Sequence, residues 1–513
     1  TPIRRTPVAR MLSTKKALLC LVSTTVASAW VHSAPLLRTT TSMIAASNRP
    51  SPRLWASEPG TTDPSTLSDQ TDTPVILPDF DSLEDYLAYM ERVSALPKGF
   101  AIGTADGTFV SAEAPSMGKL PIRATIIYLT EGSTENWAAV FTKNKFPGAP
   151  IQVGRQRLAD GGPLHALVIN NKVSNVCAGG DGVGNAELVC NAVAQELDLP
   201  NGASSVLPSS TGVIGWRLPA QELATDVVPK AAKALQMESA LAAAKAICTT
   251  DRWPKVRSQT LSNGARVVGI AKGAGMIEPN MATMLSYIMT DAIIPKATLQ
   301  TMLTEAVNGS YNSISVDGDE STSDTVALVA SNVVSNTDEA EFRDSLRVVC
   351  QGLAQDIVRN GEGTGHVLRV HVLKFPGTDA EARRLGRHVV NSPLFKCAVS
   401  GNDPNTGRLA AAIGSFMGKF KNDENIDTTM ITLGGRVIFA DGKFVLEGDE
   451  VEQELSTHMK KAQYDEHSDY PPHQKCVEIG INFGQSSGGD GEAIVLGSDL
   501  TGEYVVVNAD YRS

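Results

Sequence analysis

No aspartate or glutamate occurs before Glu58, although the same stretch holds eight arginines and lysines. So lopsided a composition, rich also in Ser, Thr and Ala, excludes an ordinary folded domain and reads as a targeting segment. Cysteine is sparse. Cys20, Cys177, Cys190, Cys248, Cys350, Cys397 and Cys476 form no C-x-x-C pair and no Cys/His spacing, which argues against a zinc site or a disulfide scaffold. The eight histidines form no H-E-x-x-H cluster. Chemistry without a metal or a resident cofactor is therefore expected. Long apolar runs are missing too: Ala17 to Ala29 is shorter than the ~20 residues of a membrane span, so no membrane partner is expected. A net charge of -11 argues against a nucleic-acid surface. What remains, at 42% hydrophobic and 20% charged, is an ordinary globular composition with ample core.

Met11 is expected to be the translation start, followed by basic Lys15-Lys16 and the apolar core Ala17 to Ala29 of a signal peptide. The stretch ASAWVHSAP, Ala27 to Pro35, resembles the ASAFAP-type junction of bipartite plastid presequences in algae with secondary plastids, Trp30 standing in the aromatic position. LLRTTTSMIAASNRPSPRLWAS then reads as a transit peptide. A plastid is the expected address, with a mitochondrion as the alternative.

Residues 1–57 are thus set apart as presequence and 58–96 as linker and helix. Glu58 to Leu77 has the Thr, Ser, Asp and Pro content of a disordered linker. Asp81 to Leu96 predicts an amphipathic helix, capped by Asp81 or Ser82, with Leu83, Tyr86, Leu87 and Met90 on one face. Beyond Pro97, strand-like runs alternate with helical ones, a pattern that agrees with an α/β fold.

The stretch around which this larger part is organised is AKGAGMIEPNMATMLSYIMTDA, Ala271 to Ala292. A glycine-bracketed turn at Gly273 and Gly275 leads through Pro279-Asn280 to a β-prone run, Met284 to Thr290, with Thr283 at its mouth. A threonine hydroxyl is a poor nucleophile without a base beside it. Cutting the chain between Ala282 and Thr283 would supply one, because the freed α-amine, with a pKa of roughly 7.7 to 8.0, is matched to that task. Taken alone, an Ala-Thr pair is most often structural.

The whole string changes that balance. KGAGMIEPNMATML resembles the K-G-S-G-M-I-x-P-N-M-A-T-M-L signature of the ornithine acetyltransferase (glutamate N-acetyltransferase, ArgJ) family, departing only at Ala274. Further stretches follow in family order: the P-K-G-F opening at Pro97, STGVIG at Ser210, TTD at Thr249, a DGD-containing polar loop from Tyr311, GEG around Glu362 and DPN at Asp403. The resemblance implies an α/β fold of layered β-sheets flanked by helices, of the N-terminal-nucleophile kind. It also implies self-cleavage into interwoven chains, 97–282 and 283–513, that associate as a heterotetramer.

It further implies Thr283 as nucleophile, Thr211 and Gly212 as oxyanion hole, and Thr249, Lys272, Thr283, Glu362, Asn508 and Ser513 as substrate contacts. The substrates implied are N-acetylornithine and glutamate, with acetyl-CoA as a further donor in some members. Three segments depart from the family: Asn170 to Gly179, where Lys172 and others replace small residues, Thr364-Gly365-His366 in place of A-T-K, and Thr406 in place of tryptophan. Asp291 and Asp324 carry no assigned role. The C-terminal Glu503 to Val507 is expected to be a strand that folds the tail back onto the site. The rival readings are an amidase or aminopeptidase of the same nucleophile type, and a non-catalytic regulatory paralogue.

Overall fold

The structure, a computed structural model, describes residue 80 and residues 82–278, 284–464, 475–484 and 489–509. The presequence, the linker to Leu77, the Ala282-Thr283 junction and Ser513 lie outside the described residues.

Three sheets carry the strands. A four-stranded sheet runs in the order Phe100–Val110, Lys119–Leu129, Ala166–Asn170, Val206–Ser210. A five-stranded sheet runs Trp137–Phe141, Thr325–Val334, Leu285–Ala292, Arg266–Lys272, Lys255–Thr260. A seven-stranded sheet, centred on Val367–Phe375 and Val477–Asn482, packs against helices Asp379–Val390, Thr406–Phe420 and Asp449–Ala462.

The layering follows from side-chain alternation along each strand. In Ala166–Asn170, Ala166 and Val168 join Val189 and Val193 of helix Gly182–Glu196 in one core. Leu167 and Ile169 face the other way and meet Ile270, Tyr287 and Val329 of the five-stranded sheet. On the far face of that sheet, Val326 and Leu328 pack with Leu299, Leu303, Leu346 and Val349 of helices Lys296–Asn308 and Glu339–Arg359. The order is helix, sheet, sheet, helix, an α/β fold of layered sheets. Strands covered on both faces are buried throughout, as all of Leu285–Ala292 is.

The amphipathic pattern near Asp81 forms helix Leu83–Val93, where the Ser82 hydroxyl accepts the Asp85 N–H at 3.1 Å. Among the residues of this helix whose side chains are described, Tyr86 and Met90, one turn apart, are buried. Asn405 likewise caps Thr406–Phe420 by accepting the Arg408 N–H, and Leu409 and Ile413 are buried as the pattern there requires.

The C-terminal tail differs from expectation. Residues Gly502–Ala509 are a helix, not a strand over Glu503 to Val507. Three consecutive valines favour strand locally, but among the described residues no neighbouring strand offers them a ladder, and Val505 and Val506 stay exposed. A helix satisfies its backbone within the segment, so tertiary context overrides the local preference.

Close approach is tightest at Gly103, where a Cβ would lie 2.0 Å from the Ala231 carbonyl oxygen. The obstacle is backbone and cannot rotate away. Gly103→Ala is expected to destabilise the fold by at least about 1–3 kcal/mol, read as a lower urea midpoint. An unchanged midpoint would show that strand and helix can part freely.

Candidate active site

Arg266–Lys272 and Leu285–Ala292 are antiparallel neighbours, and Lys272 pairs directly with Leu285. The expected cleavage junction is therefore strung between two adjacent strand ends. Beside those ends lies a cavity of about 330 Å³, within the size range of small-molecule sites. Thr211, Gly212, Thr249, Lys272, Glu362 and Asn508 all line it, as does Met284, the residue after Thr283. Six candidate residues from five separate chain segments thus meet in one place.

Thr211 and Gly212 follow the end of strand Val206–Ser210. The Thr211 N–H is donated to the Asn170 carbonyl at 3.0 Å, and among the described residues the hydroxyl of this cavity-lining threonine has no hydrogen-bond partner. Gly212 sits at φ +124, and a Cβ there would lie 2.2 Å from the Lys172 carbonyl carbon, so only glycine suits. Among the described residues the Gly212 N–H has no acceptor. A hydroxyl and a free N–H on a braced turn suit a developing oxyanion.

The brace is the segment that departs from the family. Asn170 is buried; its amide donates to the Val173 carbonyl at 2.8 Å and its oxygen accepts the Ser210 hydroxyl at 2.6 Å. The Val213 N–H is donated to the Lys172 carbonyl at 2.9 Å. Apart from Asn170 and the Ser174 hydroxyl, which donates to the Val213 carbonyl at 2.8 Å, the bracing runs through backbone, so the other side chains can change here while the turn keeps its place. Lys172 itself lines a neighbouring cleft rather than this cavity.

Lys272 has no carboxylate within ion-pair distance among the described residues, so its charge is available to an anion. Glu362 is held by two contacts. Its N–H is donated to the Ala274 carbonyl at 3.0 Å, and its carboxylate accepts the Asn508 amide at 2.8 Å. A Cβ on Gly275 would lie 2.1 Å from that carboxylate, which explains a glycine there. The tail therefore reaches the cavity as a helix.

The altered Thr364 to His366 segment is also structural. His366 is fully buried, its Nδ1 2.8 Å from Asp499 and its Nε2 3.1 Å from Asn402, while Asp499 also accepts the Gly365 N–H. The polar loop after Tyr311 gains a definite part: Asp317 accepts the N–H groups of Met276 and Ile277 at 2.7 and 2.8 Å, holding the segment ahead of the junction.

The two unassigned acids separate. Asp291 accepts the Lys98 and Arg266 N–H groups and is absent from the cavity lining. Asp324 lines the cavity, and no local sequence signal marks it. Burial pushes its carboxyl well above the usual carboxylate range, against the lowering effect of hydrogen bonds from Ser321 and Thr142 and the nearby Lys272 charge.

The ArgJ family model matches residues 118–513. This chain belongs to the ArgJ family. It is 36% identical over 428 residues to the "Arginine biosynthesis bifunctional protein ArgJ" of Nitratidesulfovibrio vulgaris, covering 82% of this chain and all of that one. It is 37% identical over 456 residues to the "Arginine biosynthesis bifunctional protein ArgJ 1, mitochondrial" of Botryotinia fuckeliana, covering 83% and 91%. A solved chain of Mycobacterium tuberculosis ornithine acetyltransferase complexed with ornithine matches at 30% identity and a TM-score of 0.31, covering 37% of this chain and 97% of that one.

A carboxyl whose folded pKa is raised by burial costs no stability below its unfolded value of roughly 3.9, and stability is lost progressively as pH rises from there through the folded value. Asp324→Asn, neutral at every pH, should melt with wild type near about pH 4 and gain on it steadily toward about pH 8. Parallel melting temperatures across that range would mean Asp324 is ionised throughout.

Proposed function

We propose that this ArgJ-family chain cleaves itself between Ala282 and Thr283, and that the resulting enzyme moves acetyl from N-acetylornithine to glutamate in arginine biosynthesis. The observation that carries the proposal is the meeting of Thr211, Gly212, Lys272 and Glu362 in one cavity beside the strand ends that flank the junction. The relatives' names supply the pathway.

In the cleavage step the Thr283 hydroxyl attacks the Ala282 carbonyl carbon. The peptide C–N bond breaks as the ester forms, the nitrogen gains a proton to become the α-amine, and water then hydrolyses the ester. In turnover the Thr283 oxygen attacks the acetyl carbonyl while its own α-amine takes the hydroxyl proton. The Thr211 hydroxyl and Gly212 N–H hold the oxyanion. As the tetrahedral intermediate collapses, the protonated α-amine returns its proton to the departing nitrogen, ornithine leaves, and acetyl-Thr283 remains. Glutamate's amine then attacks that ester, and Thr283 regains its hydroxyl.

Lys272 meets the carboxylate shared by both amino acids, and Glu362 meets an amino group. Thr249, Asn508 and Ser513 complete the substrate contacts. No metal or resident cofactor is required, and acetyl-CoA is a second donor by family resemblance. The cleaved chains are proposed to assemble as a heterotetramer. The address is proposed to be a plastid on the composition of residues 1–57, although the fungal relative's name says mitochondrial. No helix among the described residues is long and apolar enough to cross a membrane.

Intact-mass spectrometry of protein beginning near Glu58 tests cleavage directly. Wild type should give two fragments divided between Ala282 and Thr283, and Thr283→Ala a single chain. An intact wild-type chain refutes the mechanism and favours a non-catalytic paralogue. A wild-type enzyme whose acetyl intermediate decays equally fast with and without glutamate is an amidase instead. Thr211→Val keeps the shape and removes the hydroxyl. It should lower kcat by about 10²–10³ if that hydroxyl holds the oxyanion, and an unchanged kcat removes Thr211 from that role.

A further inference from the structure

We infer that a buried cluster of Asp251, Lys255 and Asn360 is the positioning element that sets Thr249, Lys272 and Glu362 at the spacing one amino-acid substrate requires. The inference rests on the acetyl transfer proposed above. Three segments bring those side chains to the cavity: the loop after helix Leu241–Ala246, the end of strand Arg266–Lys272, and the loop after helix Glu339–Arg359. Each is tied to the same cluster.

Asp251 accepts the Thr249 N–H at 3.2 Å and the Gly273 N–H, directly after Lys272, at 2.8 Å. It also accepts the Lys255 ammonium at 2.5 Å. Lys255 donates further to the Asn360 side-chain oxygen at 2.8 Å and the Trp253 carbonyl at 3.3 Å, so all three of its protons are placed. Asn360 stands two residues before Glu362, and its oxygen also accepts the Arg252 N–H at 3.1 Å. Because its neighbours there are all donors, the orientation of the amide is fixed.

Neither charge is accessible: the Asp251 and Lys255 side chains are 0% and 1% exposed. Burial alone would raise the Asp251 carboxyl. Lys255, Lys272 and the Gly273 N–H outweigh it and hold the group at about 2. Asp251 and Lys255 form an internally neutral pair. Asp251 can therefore anchor the backbone beside Lys272 while the Lys272 charge remains available to substrate. Thr211 and Gly212 hang from Asn170 instead, so the cluster bears on substrate binding rather than on oxyanion stabilisation.

Buried ion pairs are often replaceable by apolar groups without loss of stability, whereas removing one partner alone is strongly destabilising. The informative variant is therefore Asp251→Asn/Lys255→Met, which removes both charges. It is expected to fold, to cleave, and to melt near wild type. Its KM should rise about 10-fold or more for both N-acetylornithine and glutamate, with kcat within about three-fold of wild type. A folded, cleaved double variant with wild-type KM for both substrates overturns the inference, because the cluster is then only structural.

Should the double variant not fold, Asn360→Ser shortens a single acceptor, and KM must again rise for both substrates; unchanged values overturn the inference. Calorimetric titration of the same variants with ornithine reads binding without turnover and should show the same weakening. A wild type that binds ornithine but transfers no acetyl group refutes the proposed function alone, and the titration then decides the positioning role. A wild type that does neither overturns both.

Discussion

The pairing of Lys272 with Leu285 is the constraint on which the rest depends. It fixes both ends of the junction loop on adjacent strands of a sheet that is packed on both faces. The same sheet interleaves the two sides of the junction. Trp137–Phe141, Arg266–Lys272 and Lys255–Thr260 come from before it, Leu285–Ala292 and Thr325–Val334 from after, and the latter pair lies between strands of the former. A cut at Ala282-Thr283 would remove one peptide bond and leave two ladder interfaces intact. The scaffold can therefore lose covalent continuity at its centre without losing its register.

A cavity ringed by buried charge is expensive to maintain, and the fold meets that cost locally. Asp251 is matched by Lys255, Asp317 by two backbone N–H groups, and Glu362 by the Asn508 amide. For Asp324, burial instead pushes the carboxyl well above the usual carboxylate range. Lys272 is the exception, since among the described residues it has no carboxylate partner. Within the cavity that leaves Lys272 and the Glu362 carboxylate, one charge of each sign, which suits a substrate carrying both a carboxylate and an amino group.

Much of this arrangement was legible in the sequence, for identifiable reasons. Thr211, Gly212, Thr249, Lys272, Glu362 and Asn508 were carried over from the family by motif or spacing, which places residues together without knowing the fold. The α/β class came from the resemblance, with strand and helix periodicities in agreement, but which strands are neighbours did not. Trp137 and Val329, far apart along the chain, are partners in one ladder. The tail was misread because Val505, Val506 and Val507 favour strand, and only the absence of a neighbouring edge tells against it. Asp251 appears in the sequence only as the last residue of the TTD match and Asp324 only without a role, because burial, not local pattern, sets them apart. Lys255 there merely begins a strand.

The segments that depart from the family show what the site holds constant. Lys172 takes a positive φ of 70 and offers its carbonyl to Val213, and the turn at Thr211-Gly212 rests on that backbone rather than on any side chain at 172. His366 stands where a lysine is usual, yet it is paired with Asp499 inside the protein, and Asp499 in turn holds the Gly365 N–H. In both places the side chains have changed and the backbone is still tied to a partner in the fold. The site therefore constrains where donors and acceptors sit, and only secondarily which residues put them there. That is why an altered loop beside the Thr211-Gly212 turn is compatible with the proposed chemistry, while a Cβ at Gly212 is not.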